Sequence, residues 1–250
     1  MLYFGSFNPV HKGHIALAEY VLRKGLCDSV ALIVSPQNPL KNSDDLLPEM
    51  SRFEMAETAC RESAFPSLIQ PSAVEFLLPK PSYTIDTLRF LQQNSGHAMQ
   101  FSILMGADNL ERFDQWKESG TILSDYTIYV YPRSGYDIGE YAGRVVWLAD
   151  APVFDCSATE IRNRLHAGED ASEMLPAGVA KYIAGHGLLK PRTEEMKSAG
   201  REYFRRNEWG KALNAFRRVL ATEPDDTESR EYVKMIEEIL EFRYKDIYNP

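Results

Sequence analysis

Along the first 190 residues, short apolar and β-branched runs alternate with longer stretches of helical period. The runs at Leu2–Phe4, Val30–Val34, Leu68–Ile69 with Val74–Leu77, Phe101–Met105, Thr127–Tyr131 and Val145–Leu148 predict strands. Between them, apolar positions three and four apart predict helices near 13–24, 48–62, 84–94 and 107–118, and two more follow at Ala158–Leu165 and Ala177–His186. Strand and helix in alternation imply parallel βαβ units. The expected class is therefore α/β, a Rossmann-like doubly wound parallel sheet. Ligands in such sheets sit beyond the carboxyl ends of the strands, where the strand order switches.

The pattern changes at Leu189-Lys190-Pro191-Arg192-Thr193, and no strand period follows. We place a domain boundary there, giving a catalytic-sized domain at 1–190 and a small all-α extension at 191–250. From Thr193 to Asp226, the positions of Gly200, Tyr203, Ala212, Phe216, Val219 and Pro224 resemble a tetratricopeptide helix-turn-helix unit. A third amphipathic helix carries Tyr232, Val233, Ile236, Ile239, Leu240 and Arg243. A single repeat cannot bury its own apolar face. The extension is expected to pack on the first domain, on another copy of the chain or on a protein partner.

Charge narrows the picture. Of the 28 basic and 36 acidic residues, the last 60 positions hold 12 and 13, leaving 16 and 23 for the first 190, net −7. An acidic domain is a poor match for a nucleic-acid surface. Any anion it binds must meet locally placed cations, of which Lys41, Arg133 and Arg162 follow predicted strands or open a predicted helix. No apolar run reaches membrane-spanning length and no signal-like start is present, so a cytoplasmic protein without membrane contact is expected. Three cysteines without CxxC spacing predict free thiols and no zinc site.

The chemistry concentrates at Tyr3-Phe4-Gly5-Ser6-Phe7-Asn8-Pro9-Val10-His11-Lys12-Gly13-His14. A strand, a tight loop and a helix start place two imidazoles at a helix N-terminus, whose free N–H groups and dipole suit an anion. With no Cys, Asp or Glu beside them, a metal role for the histidines is disfavoured. Ser157-Ala158-Thr159-Glu160-Ile161-Arg162 has the spacing of a capping box, with Thr159 and Arg162 in the first helical turn. Ser35-Pro36-Gln37-Asn38-Pro39-Leu40-Lys41 follows a core strand and could aim Lys41 inward.

Taken in order, these elements resemble the nucleotidylyltransferase superfamily. His11-Lys12-Gly13-His14 is similar to its (H/T)xGH signature, and Ser157–Arg162 to its second signature. Pro81–Leu88, Gly106-Ala107-Asp108-Asn109-Leu110 with Phe113 and Trp116, Pro132-Arg133-Ser134-Gly135 and the closing stretch from Leu175 to Leu188 narrow the resemblance to bacterial nicotinate-nucleotide adenylyltransferases. The chain departs from that pattern at Phe4, where a glycine is common, at Leu40, where a histidine is common, and at Ala158, where many members carry serine.

The resemblance implies adenylyl transfer from ATP to nicotinate mononucleotide, giving deamido-NAD and pyrophosphate. It implies catalytic roles for His11, His14 and Arg162. ATP contacts would come from Gly5, Ser6, Phe7, Gly13, Gly106, Asp108, Ser157 and Thr159 besides. Lys41, Thr84, Thr87, Asp108, Trp116 and Arg133 would meet the acceptor. Magnesium would ride mainly on ATP phosphates, with no protein metal site. Two alternatives stand: nicotinamide mononucleotide or another phosphorylated acceptor as substrate, and a catalytically weak nucleotide-binding adaptor using the helical extension.

Overall fold

The computed structural model describes residues 1–36, 46–95, 99–154 and 156–248, with side chains through Glu241. Six strands form one parallel sheet in the order β3-β2-β1-β4-β5-β6. They are β1 (Leu2–Gly5), β2 (Val30–Val34), β3 (Ile69–Ser72), β4 (Ser102–Gly106), β5 (Thr127–Tyr131) and β6 (Val146–Trp147). Leu2 pairs with Ala31 on one side and Ile103 on the other, so β1 is central and the order reverses between β1 and β4. The expected doubly wound α/β sheet is present. Its switch point places the loops after β1 and β4 side by side.

The helices follow from apolar period. In α1 (Lys12–Arg23), Ile15, Leu17, Ala18 and Val21 are buried; in α2 (Glu49–Arg61), Met55, Ala56, Ala59 and Cys60 are. α3 (Thr84–Asn94) buries Ile85 and Leu88 in a cluster with Leu2, Ile33, Ile103, Met105, Phe113 and Val130. α6 (Ala177–Gly185) packs on α2, where the Gly178 N–H donates to Glu62 Oε1 at 2.7 Å.

Two local expectations need correction. Val74–Leu77 is a 3-10 turn, and the strand is instead Ile69–Ser72. Pro71 within β3 is tolerated because the strand lies at the sheet edge. The turn then carries Val74 and Glu75 inward. The helix expected over 107–118 is a 3-10 stretch, Ala107–Gln115, broken at Arg112, and a separate short α4 (Ser119–Asp125) begins after Glu118 in the left-handed region at φ 52°. The Ser-Gly-Thr start of α4 has too little apolar period to announce a seven-residue helix.

The described chain divides into two compact units. One comprises Met1–Thr159 and Ser172–His186. The other comprises Glu160–Ala171 and Gly187–Pro250, so it takes most of α5 (Ala158–His166) together with α7 (Thr193–Arg205), α8 (Trp209–Thr222) and α9 (Thr227–Tyr248). Within the second unit, the Arg192 N–H donates to the His166 carbonyl at 2.8 Å and Arg218 pairs with Glu169 at 2.6 Å. Its core is Ala212, Phe216 and Ile236, with Phe216 stacked on Tyr232 at 4.4 Å. Gly200 lets α7 approach α8, since a Cβ there would stand 2.8 Å from the Phe216 ring. At the start of α9, Asp226 accepts the Ser229 N–H at 2.8 Å and pairs with Lys197 at 3.0 Å, which caps the helix and ties it to α7.

Candidate active site

The loop after β1 folds back on itself because of its aromatic residue. Phe7 has φ 45° and is 1% exposed, with its ring edge-on to Tyr3 at 5.7 Å and to His14 at 5.0 Å. Gly5 makes room, since a Cβ there would stand 3.0 Å from that ring. His11 then caps α1 with extended backbone, and its carbonyl accepts the His14 N–H at 3.0 Å. In return the His11 backbone N–H donates to His14 Nδ1 at 3.1 Å. A neutral His14 ring whose Nδ1 accepts must carry its proton on Nε2.

The two rings lie 3.6 Å apart between centroids. His11 is 3% exposed, and burial, helped by the charge of Arg133, pulls its pKa from 6.5 to about 4. It is therefore neutral at physiological pH and offers an N–H dipole to an anion, without a charge. Cys156 Sγ lies 3.7 Å from His11 Nδ1. Gly13 is required by closeness, because a Cβ would stand 3.1 Å from the His11 ring and 3.2 Å from Phe154.

Across the switch point, Arg133 follows β5 and Asp108 follows β4. Arg133 Nε is buried without a hydrogen bond and lies 3.7 Å from Asp108 Oδ1, while the guanidinium sits 5.4 Å from the Tyr131 ring centre. Tyr131 and Tyr3 share a hydroxyl hydrogen bond at 3.0 Å. Burial raises the pKa of both, so both stay protonated. A cation thus stands by Tyr131 at the end of β5 and beside the Asp108 carboxylate, where it could pair with an anion.

Gly106 reports how tightly this is built. A Cβ there would stand 2.3 Å from Asp108 Oδ1, 3.1 Å from Tyr131 and 3.2 Å from Arg133 Cγ. Asp108 is exposed and can swing away, so Gly106→Ala should leave the melting temperature within a few degrees. The displaced carboxylate and guanidinium should lower kcat/KM by about tenfold or more, ~1.4 kcal/mol. A steady-state assay beside a thermal melt checks both halves.

Other expected residues scatter by environment. Thr84 opens α3 half-buried, and Trp116 is half-buried with its ring 5.3 Å from Phe113. Lys117 holds that region to α3 through Asp86 at 2.8 Å. Thr87 needs correction as an acceptor contact. It is fully buried and donates to Glu75 Oε1 at 2.9 Å, so its hydroxyl is committed to the interior. Ser157 and Thr159 are exposed at the start of α5, with Arg162 half-buried one turn on. Lys41 lies outside the described residues.

Sequence reasoning missed Arg52, Asn8, Glu75 and the Tyr3–Tyr131 pair. Arg52 had a legible signal: it occupies the apolar stripe of α2, in step with Met55, Ala56 and Ala59. Glu75 likewise interrupts an apolar run.

A cytidylyltransferase-like family model matches residues 2–164. A relative from Porphyromonas gingivalis, named "Probable nicotinate-nucleotide adenylyltransferase", is 40% identical over 189 residues, 75% of this chain and 94% of the relative. This chain belongs to the nicotinate-nucleotide adenylyltransferase family. A relative of the same name from Flavobacterium psychrophilum is 37% identical over 192 residues, 76% of this chain and 97% of its own length. A solved member from Plasmodium falciparum, nicotinic acid mononucleotide adenylyltransferase complexed with NaAD, shares the fold at a TM-score of 0.64 and 17% identity, covering 75% of this chain and 95% of that one. The family's nucleotidyltransferase chemistry is thus the chemistry of this enzyme. Among the described residues, no helix is long and apolar enough to cross a membrane.

Proposed function

We propose that the enzyme transfers the adenylyl group of ATP to nicotinate mononucleotide, releasing pyrophosphate and forming deamido-NAD. The observation that carries this reading is the His11–His14 pair at the start of α1, with the rings 3.6 Å apart and the His11 N–H on His14 Nδ1. The acceptor's phosphate oxygen attacks the α-phosphorus of ATP. One P–O bond forms, the bond to the bridging oxygen of the β-phosphate breaks, and pyrophosphate leaves with the electron pair. The attacking oxygen is already anionic at neutral pH, so no general base is needed. Alignment and charge stabilisation supply the rate.

His14 Nε2–H and the neutral His11 donate to the triphosphate, and Gly5, Ser6, Phe7 and Gly13 shape the loop around it. Thr159 and Arg162, on the first turn of α5, bind its outer phosphates, with Ser157 at the helix start. Asp108 and Gly106 border the nucleotide. Thr84, Trp116, Arg133 and Lys41 serve the acceptor, the indole by stacking on the pyridine ring. Magnesium fits this donor set as an ion carried on phosphate oxygens and water. Among the described residues no three of His, Cys, Asp and Glu converge, and the Asp108 carboxylate faces Arg133. When bound, it supplies screening of the triphosphate charge.

α7 and α8 act as a single tetratricopeptide-like repeat, supported by Gly200 seated on Phe216. The second unit as a whole offers the surface for a further copy or a protein partner.

The test is pyrophosphate release with purified protein, ATP and each acceptor. Nicotinate mononucleotide should exceed the amide by tenfold or more in kcat/KM, ~1.4 kcal/mol. A tenfold preference for the amide overturns the substrate assignment, and no turnover with either supports the adaptor reading.

A further inference from the structure

Arg52 is fully buried, and among the described residues its hydrogen bonds run to backbone carbonyls, with the charge of Glu49 acting on it through space. Its Nε donates to the Leu47 carbonyl at 2.9 Å, Nη1 to the Ser6 and Ser35 carbonyls at 2.6 Å each, and Nη2 to the Pro36 carbonyl at 3.0 Å. One guanidinium therefore binds three segments: the loop after β1, the end of β2 and the approach to α2. Leu47 is held a second time, because its N–H donates to Asn8 Oδ1 at 3.1 Å. The chain of contacts continues inward. The Ser35 side chain lies near enough to the buried Glu75 carboxyl to favour its charged form, and that carboxyl accepts from Thr87 of α3 at 2.9 Å.

Stability alone does not explain an arginine here. Burying a cation among carbonyl dipoles costs solvation, and an apolar side chain in the same stripe would avoid that cost. What a guanidinium adds is geometry, since its planar fork can fix several carbonyls at set distances and directions. The carbonyls it fixes belong to the loop that carries His11 and His14, to the approach to α2, and to the strand end beside Glu75, whose carboxyl holds Thr87 of α3. We propose that Arg52 is a positioning residue, the centre of a buried polar chain that sets the triphosphate-side loop at a fixed distance from the acceptor side at α3. It rests on the function proposed above. In-line transfer between two bound substrates is sensitive to such spacing, and a misplacement of about 1 Å costs on the order of a hundredfold in rate.

Arg52→Lys keeps the charge and loses the fork. The expected result is a kcat per folded molecule lowered about a hundredfold, with the KM for ATP and for nicotinate mononucleotide each within threefold of the parent. Asn8→Ala, which removes the acceptor of the Leu47 N–H, should lower kcat about tenfold at unchanged KM. The double variant should lose less than the product of the two, as members of one device do. A kcat within threefold of the parent, or a loss that follows the folded fraction alone, overturns the proposal. If Arg52→Lys does not fold, Asn8→Ala decides by the same criterion. Should the parent chain itself show no adenylyl transfer, the functional reading fails separately, and amide exchange in Arg52→Lys tests the tie. Leu47 should exchange at least tenfold faster with β1 unchanged, and a parent-like Leu47 rate overturns it.

Discussion

His14→Ala is expected to lower kcat by about 10²–10³, ~2.7–4 kcal/mol, the scale of removing one preorganised donor from a developing charge. His14 also accepts the His11 backbone N–H at 3.1 Å, so the same change removes a helix cap worth about 1 kcal/mol. The two effects separate in His14→Gln. Glutamine at the third helical position can reach back to the cap N–H, as it does in a capping box. The melting temperature should recover in His14→Gln while kcat stays at least tenfold down. Unchanged turnover in His14→Ala, measured by pyrophosphate release, would sink the phosphate-holding role. Because burial holds His11 near a pKa of about 4, it stays neutral from pH 6 to 8, and no step in the rate over that range should trace to it.

Phe216→Ala should have the largest effect on stability. Its ring is the largest member of a core whose other fully buried residues are Ala212 and Ile236, and it lies parallel to Tyr232 at 4.4 Å with 5° between planes. Truncating a fully buried phenylalanine costs about 3–5 kcal/mol. That is much of the ~5–15 kcal/mol available to a whole domain, and this unit is small. Amide protection should collapse across α7, α8 and α9 and across Glu160–Ala171, which belong to the same compact unit. Retained protection in those helices would show that the core is not where the structure puts it. For the same reason, a truncation after Lys190 removes the partners of Glu169 and His166, and a cut that respects the unit is harder to choose than the sequence boundary suggests.

Much of the candidate site's local geometry was legible because its residues are close in sequence. His11 and His14 share one helix start, and Gly5, Gly13 and Gly106 sit where the backbone must approach other groups closely. Thr87 was misplaced because a threonine at a helix start looks the same whether its hydroxyl meets a ligand or a buried glutamate twelve residues back. Val74–Leu77 was misplaced because a short apolar run carries no period that separates a strand from an inward turn.

By itself, the sequence determined the alternation of strands and helices, the switch to an all-helical tail and the strand-loop-helix that brings His11 and His14 together, since all three are written in spacings of two to four residues. Only the tertiary structure decided that Arg52 fastens three loops and that His11 is neutral. It also decided that Glu160–Ala171 groups with the last helices. Each of these depends on partners far apart in the chain and on how completely water is excluded from them. Local period reports which face of an element is apolar; it carries no record of what that face will meet.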